Sequence, residues 1–440
     1  MNNDVTVIVP VYNAFQEAGA CLNSVIHNTP SASVQILVID DCSPEGQFEE
    51  YLSKELPNVR ERCSIERNSQ NLGFTKTINR GLRISDPCDV VILNSDTLVT
   101  ARWIEKLQAA AYSRERIGTV TPFTNNGTIC SVPKFCQEND IPSGFTLEAF
   151  ADFIEQCAEG EYPSLPTCVG FCTYIRRAAL NDVGFLDDIH FPRGYGEEND
   201  LSCRLAQKGY LNILDDCTYI FHAGGASFLN EQEVLQSAGT EMMKKLHPHY
   251  FDAVSKFVRR NPLRACHDRI SDAMLSQRDH GKRVLHILHN GPFERRGDPL
   301  GGTERSVQQI IRQISSFTHW SLVCSRGEYV LEVHDPNFSR SWYAKVSPDI
   351  LRQILSLEFF PLIHVHHPRW FEMEELVSAL QAHGNYIVSL HDFASVCPRF
   401  HLFTVGGEHC SGSECIAACG YDSAFIQDYR IAGEKLLRGA

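Results

Sequence analysis

Val90-Val91-Ile92-Leu93-Asn94-Ser95-Asp96-Thr97 is the stretch on which the fold turns. It opens as a short apolar run of strand length and closes on an Asn-x-Asp. A carboxylate at the carboxyl end of a buried strand lies where open α/β sheets bind ligands. Two earlier runs repeat the arrangement. Val5–Val9 ends in Pro10-Val11-Tyr12-Asn13, and Gln35–Ile39 ends in Asp40-Asp41-Cys42-Ser43. Further strands are expected at Ser64–Arg67 and Ile117–Thr121. They alternate with helix-like segments at Phe15–Asn28, Gln47–Leu56, Thr75–Arg83 and Ala101–Ser113. Such alternation predicts an α/β fold with a parallel sheet.

Downstream, residues 126–165 are loop-rich around one helical segment, Leu147–Glu159. A strand follows at Cys168–Ile175. Gly194-Tyr195-Gly196-Glu197-Glu198-Asn199-Asp200 then opens an amphipathic helix running to Ala206. Strands at Leu211–Leu214 and Cys217–Phe221 lead to His222. Polar helices fill Asn230 to Arg283 and are broken at Arg259-Arg260-Asn261-Pro262. A second α/β unit begins at Val284–Leu288, with a helix at Arg305–Ile314 and strands at Ser321–Cys324, Leu362–Val365 and Tyr386–Leu390.

The length of 440 residues suits two or three domains, and 43% hydrophobic residues supply their cores. A net charge of −14 argues against a general nucleic-acid role. It leaves room for an anionic substrate bridged by a cation, which reverses the local field. The 17 cysteines are mostly scattered singly and read as reduced thiols. Met1-Asn2-Asn3-Asp4 runs straight into a strand and does not read as a signal peptide. No apolar run is long enough to span a bilayer. The expectation is therefore a cytoplasmic protein whose membrane association, at the inner face, is peripheral. The oligomeric state is not legible.

Taken in order, five motifs resemble the family-2 inverting glycosyltransferases of GT-A fold, especially the rhamnosyltransferase-like branch that builds bacterial surface polysaccharides. The resemblance covers residues 5–228. It implies that Pro10, Tyr12 and Asn13 contact the base and ribose, and that Asp41 accepts the N–H of a uracil-type base while Asp40 holds the turn. A helix-capping cluster around Ser43 is the bland reading of the same residues. Asn71 and Gly73, in Asn71-Leu72-Gly73-Phe74-Thr75-Lys76, would flank the nucleotide-sugar, Gly73 by allowing close backbone approach. Lys76 would face phosphate or lie on a solvated helix face. Asn94 and Asp96 stand where the family has its Asp-x-Asp, which makes Asp96 the principal carboxylate on Mg2+ or Mn2+, with His222 as a further ligand. Gly170 and Phe171 would floor the sugar pocket, with Cys172 a small filler. Aligning on Asp200-Leu201 makes Glu198 the general base, with Glu197 the runner-up and Asp200 positioning the acceptor or bracing the loop. An acidic helix cap is the alternative.

Residues 283–440 resemble the N-terminal half of a family-4 glycosyltransferase of GT-B fold. That rests on Gly301-Gly302-Thr303-Glu304, on His364-Val365-His366-His367, and on His391-Asp392-Phe393 before Cys397-Pro398-Arg399. The nucleotide-sugar half of that fold is not found before Ala440. Cys397, Cys410, Cys415 and Cys419 form one cluster whose spacing approaches that of a structural zinc site. The expected division is thus a GT-A domain at 1–228, a helical tail and linker at 229–282, and a Rossmann-like, incomplete GT-B half at 283–440. The implied partners are a nucleoside-diphosphate sugar donor and a glycan or lipid-linked acceptor. Two other functions compete. A nucleotidyltransferase would need a glycine-rich basic loop after the first strand, where Pro10-Val11-Tyr12-Asn13 stands instead. A non-catalytic carbohydrate-binding scaffold would not need Asp96, Glu198 and His222 together.

Overall fold

The computed structural model describes residues 4–29, 34–44, 47–224, 232–278, 281–293, 300–356, 358–392, 394–395, 397–399 and 421–440. The chain forms two compact units, Met1–Ile270 and Ser271–Ala440.

The first unit is built on β1 (Val5–Val11), β2 (Val34–Asp40), β3 (Ser64–Arg67), β4 (Asp89–Leu93), β5 (Thr97–Leu98), β6 (Ile117–Phe123), β7 (Ser164–Leu165), β8 (Cys172–Ile175), β9 (Leu211–Tyr219) and β10 (Phe221–His222). Eight of these strands make one sheet in the order β3-β2-β1-β4-β8-β6-β9-β7, and β10 pairs separately with β5. β1 is parallel to β2 and to β4, whereas β8 runs antiparallel between β4 and β6.

Helices cover both faces, which is why β1 and β4 read as nearly continuous apolar runs, apart from Thr6 and Asp89. Val5, Val7 and Val9 pack with Leu22 and Trp103 in one core, and Ile8 packs with Ile78, Leu82 and Leu205 in another. Side chains alternate across a strand, so one short segment serves both cores. From β1 the chain steps to β2 on one side and later to β4 on the other. The crevice at the carboxyl ends of β1 and β4 is therefore the switch point where such sheets bind ligands.

Two strands expected at Leu211–Leu214 and Cys217–Phe221 are one strand, β9, followed by the short β10. Asp215 and Asp216 interrupt the apolar pattern yet lie buried inside β9. Asp215 is satisfied locally, accepting from the Cys217 amide at 2.9 Å and the Thr218 hydroxyl at 2.6 Å. The first unit also runs past residue 228. Leu263, Cys266, His267 and Ile270 are buried, and the His267 Nε2 lies 3.0 Å from the Ser131 carbonyl.

The second unit holds β11 (Arg283–Leu288), β12 (Thr318–Ser325), β13 (Glu328–His334), β14 (Ser339–Lys345), β15 (Leu362–Val365) and β16 (Tyr386–Val388), in the order β14-β13-β12-β11-β15-β16. β12-β11-β15-β16 are parallel, as a Rossmann-like unit requires. β13 and β14 add an antiparallel edge that the sequence reading did not anticipate. β14 reads Ser-Arg-Ser-Trp-Tyr-Ala-Lys, without the apolar run that marked the other strands. Among the described residues no helix is long and apolar enough to cross a membrane, and the described cysteines are free. Cys410, Cys415 and Cys419 lie outside the described residues, so the zinc expectation has only half-buried Cys397 within them.

Candidate functional site

A cavity of about 360 Å³ opens at the switch point of the first unit. Pro10, Tyr12, Asp41, Asn71, Gly73, Asn94, Asp96, Gly170, Phe171, Glu197, Glu198 and His222 all line it. Asn13, Lys76 and Asp200 do not.

Asp41 organises one wall. Its Oδ1 accepts from Asn68 Nδ2 and the Leu72 amide, both at 2.8 Å, and its Oδ2 accepts from the Gly73 amide at 2.9 Å. The carboxylate thereby folds the Asn71–Gly73 loop against β2. Oδ2 retains a lone pair for one more donor. Asp40 plays the turn-holding part, accepting from the Ser43 amide at 2.9 Å and pairing with Arg67. Gly73 has φ 81°, and a Cβ there would stand 2.7 Å from the Pro192 carbonyl oxygen, so only glycine fits.

The β5–β10 ribbon brings Asp96 and His222 together. His222 pairs with Thr97 across the ribbon, and the Ala223 amide donates to the Asp96 carbonyl at 3.0 Å. His222 Nε2 then lies 3.5 Å from Asp96 Oδ1. A carbonyl only accepts, so the 2.7 Å contact of His222 Nδ1 with the Asn126 carbonyl places a proton on Nδ1, and Nε2, which offers its lone pair only while the ring is neutral, faces Asp96. Burial pulls the His222 pKa down, but the hydrogen bond and charge of Asp96 outweigh it and hold the pKa above its ordinary value. Phe171 stacks on the ring, centroids 5.4 Å apart. Asn94 Oδ1 is buried and has no partner. An unpartnered amide oxygen, a carboxylate and an imidazole lone pair make a donor set that fits Mg2+ or Mn2+. Cys172 is no nucleophile candidate, because burial pushes its thiol pKa well up.

Opposite stand Glu197 and Glu198, at the start of the helix Glu197–Gln207. The Gly196 amide donates to Glu197 Oε2 at 3.1 Å, and Asn199 Nδ2 donates to Glu198 Oε1 at 3.2 Å. Glu198 Oε2 is buried without a partner. Burial and then the charge of Glu198 raise Glu197 well above the carboxylate range, and burial raises Glu198. The two carboxyls therefore titrate as one buried pair, and the pair is harder to ionise than a solvated carboxylate.

Three expected site residues sit elsewhere. Asp200 is turned away, held by Arg204 Nε at 2.7 Å and His247 Nε2 at 2.8 Å, so it braces the helix and does not face the cavity. Lys76 is exposed on the helix Phe74–Ile84. Asn13 donates its amide to the Ser43 hydroxyl at 3.0 Å. Conversely, Arg193, Tyr195 and Leu235 line the cavity and were not anticipated. Arg193 and Tyr195 flank the glycines of the acidic loop, a signal that was available. Leu235 comes from the helix Gln232–Leu246 in the expected tail. That helix lies so close that a Cβ on Gly239 would come within 1.9 Å of the Tyr195 carbonyl oxygen.

The second unit gathers its own polar groups. His334, His319, His286 and His364 fall on one sheet face through the pairings His319–His334, Val284–His319 and His286–His364. His319 Nε2 lies 2.8 Å from the Ile314 carbonyl, which fixes a proton on that nitrogen. His286 Nε2 must then donate to His319 Nδ1 at 3.0 Å, His366 Nε2 to His286 Nδ1 at 3.0 Å, and His391 Nε2 to His366 Nδ1 at 3.1 Å. Burial, followed by the neighbouring imidazoles, holds His366 at about 2 and His364 at about 4 and lowers His286, and burial lowers His319, so these four rings are neutral. His286, His364 and His366 are close enough for a metal, yet the His286 and His366 nitrogens already bond to one another. At the ends of β11 and β15 the pattern differs. His289 Nε2 lies 3.2 Å from Glu304 Oε1 and His367 Nε2 lies 2.9 Å from Asp392 Oδ2, while the buried His289 Nδ1 lacks a hydrogen-bond partner.

Residues 6–184 match the model of glycosyl transferase family 2. The glycosyltransferase AglE of Haloferax volcanii is 27% identical over 103 residues, which cover 23% of this chain and 33% of that protein. An uncharacterized glycosyltransferase of Haemophilus influenzae is 31% identical over 103 residues, covering 23% of this chain and 31% of its own. The chain thus spans about a third of the length of these curated relatives. Similar solved structures include GalNAc-T7 with UDP, GalNAc and Mn2+, at TM-score 0.40 and 18% identity over 50% of this chain and 44% of that one. Another is the mannosyltransferase PcManGT of Pyrobaculum calidifontis with GDP-Man and Mn2+, at TM-score 0.38 and 15% identity over 63% and 81%. Superpositions this loose carry no functional argument. The family match is the more specific likeness: residues 6–184 of this chain are similar to glycosyl transferase family 2.

Proposed function

We propose that the first unit transfers a sugar, with inversion, from a nucleoside-diphosphate sugar to a hydroxyl of a glycan or lipid-linked acceptor in bacterial surface polysaccharide assembly. The observation that carries this reading is the unpartnered Glu198 Oε2, which lines the same cavity as the Asp96–His222 pair. Asp41 Oδ2 takes a base N–H, and Pro10 and Tyr12 pack the nucleoside. Asn94, Asp96 and His222 would hold Mg2+ or Mn2+. When bound, that ion supplies Lewis-acid stabilisation of the departing diphosphate. Arg193, also lining the cavity, adds positive charge on the phosphate side. Phe171 and Gly170 floor the sugar. A Cβ on Gly170 would lie 3.8 Å from the Glu198 carboxyl carbon, which sets the base beside the sugar pocket. Glu198 accepts the acceptor hydroxyl's proton as that oxygen attacks the anomeric carbon, and the diphosphate leaves from the opposite face. One displacement inverts the centre, and no residue is alkylated.

The unpartnered His289 Nδ1, just past the carboxyl end of β11, favours a second ligand site in the second unit. We assign it to an acceptor or sugar-phosphate, consistent with this unit being half of a two-domain transferase. A panel of nucleotide-sugars, assayed for hydrolysis and transfer with Mn2+, with Mg2+ and with EDTA, tests the main reading. Metal-dependent turnover of one donor supports it. Sugar binding without turnover favours a scaffold, and pyrophosphate release from a nucleoside triphosphate plus sugar phosphate favours a nucleotidyltransferase.

A further inference from the structure

Asn199 follows Glu198 in the chain and hydrogen-bonds its carboxylate. An ionised carboxylate only accepts, so the Asn199 amide nitrogen must face it, and Nδ2 lies 3.2 Å from Glu198 Oε1. The amide oxygen then turns to two hydroxyls. Tyr250 donates to it at 2.5 Å, and Thr167 Oγ1 lies 2.9 Å from it. The single Thr167 proton is contested, because the Cys168 carbonyl and Ser202 Oγ are also in reach, at 3.0 and 3.2 Å. Tyr250 is the firmer hold, and burial raises its phenol pKa, so it keeps the proton it donates. Tyr250 opens the helix Tyr250–Arg260, in the segment that reads as a tail. Its amide donates to the His247 carbonyl at 3.0 Å. One turn thus presents Tyr250 to Asn199 and His247 to Asp200, and both partners lie in the first turn of the helix Glu197–Gln207. Glu198 Oε2, at the far end of this line of bonds, is the oxygen left without a partner.

We propose that Asn199, held by Tyr250, is the positioning residue of Glu198: it occupies Oε1 and so leaves Oε2 as the oxygen that meets the acceptor hydroxyl. Asn199 itself does not line the cavity. Its amide stabilises the ionised carboxylate, which opposes the burial that raises the Glu197–Glu198 pair. The other groups around the pair are few. Burial pushes the Cys168 thiol up to about 12, and the Tyr250 phenol also stays protonated. Asp96, His222 and Arg193 line the same cavity. The catalytic consequence rests on the transfer reading above; the linkage from Tyr250 through Asn199 to Glu198 does not.

The test uses the full chain with Asn199→Leu and Tyr250→Phe, neither of which changes its charge. The first readout needs no ligand: infrared difference spectra across a pH titration, followed at the carboxyl band that Glu198→Gln removes. Asn199→Leu should move the midpoint up by about one pH unit, as loss of a hydrogen bond to a charged group implies. Tyr250→Phe should move it the same way by less, and it keeps the test decisive should Asn199→Leu not fold. The second readout is kinetic, with the nucleotide-sugar that turns over in the panel above. On the plateau above the acid limb, Asn199→Leu should lower kcat by about ten- to a hundredfold and leave the donor KM within about twofold. A brace that only stabilises the helix would lower the melting temperature and move neither the midpoint nor kcat. Midpoints unchanged in the folded variants overturn the proposal, and so does a loss confined to KM. A wild type that turns over no donor overturns the transfer reading instead, while the infrared shift still decides the linkage.

Discussion

The cavity of the first unit and the histidine face of the second both bury polar groups, and they treat them oppositely. In the cavity, Asn94 Oδ1 and Glu198 Oε2 are left without partners. On the histidine face, each imidazole from His391 to His319 passes a hydrogen bond to the next, until the Ile314 carbonyl ends the chain. A buried polar atom without a partner costs free energy and persists where something else, here a ligand, completes it. A closed chain stabilises the sheet and asks for nothing further. Counting histidines alone would have pointed to the wrong unit.

The sharpest way to break this contrast is Asp96→Ala. Transfer should fall by about three orders of magnitude or more, because the diphosphate loses its charge stabilisation. Metal-dependent nucleotide binding, read by calorimetry, should weaken with it, and an active variant would remove Asp96 from the site. Next, Glu198→Gln should keep donor binding and lower the transfer rate by about two to four orders. Glu197→Gln is its control; a dead Glu197 variant beside an active Glu198 variant would move the base by one residue. The wild-type pH–rate profile should share the cause. Burial raises the Glu198 pKa, and the base works only when ionised, so the acid limb should lie above the ordinary carboxylate value of about 4.3.

The histidine face predicts the reverse signature. His286→Ala should destabilise the second unit by about 1–3 kcal/mol, since two imidazoles lose their partner. Sugar transfer should not change, and a lost activity would place the histidines in the reaction. Residues 1–278 alone should retain transfer within about threefold, because the cavity is complete within the first compact unit. A folded but inactive fragment would show that the second unit completes the site. The smallest effect is expected from Lys76→Ala, under about twofold on KM, as befits an exposed side chain away from the cavity.

Much of this was legible before any coordinates. Val5–Val9, Gln35–Ile39 and Val90–Leu93 announce themselves because strands buried on both faces are almost wholly apolar, with only Thr6 and the exposed Gln35 breaking the pattern. Their carboxyl ends then locate the crevice. β14 was not legible, since an edge strand need not be apolar. β9 appeared as two strands, since Asp215 is satisfied by neighbours that composition cannot weigh.

What the sequence determined by itself is the alternation of elements and the residue types at three strand ends, because local patterning and backbone sterics act over a few residues. What only the tertiary structure decided is who meets whom. Asp96 reaches His222 through the β5–β10 pairing, and Leu235 closes the cavity from a helix that reads as a tail. Asp200 is drawn out of the site by Arg204 and His247, although it shares a motif with Glu198. Long-range pairing depends on the summed packing of both cores, and no short stretch of sequence encodes that sum.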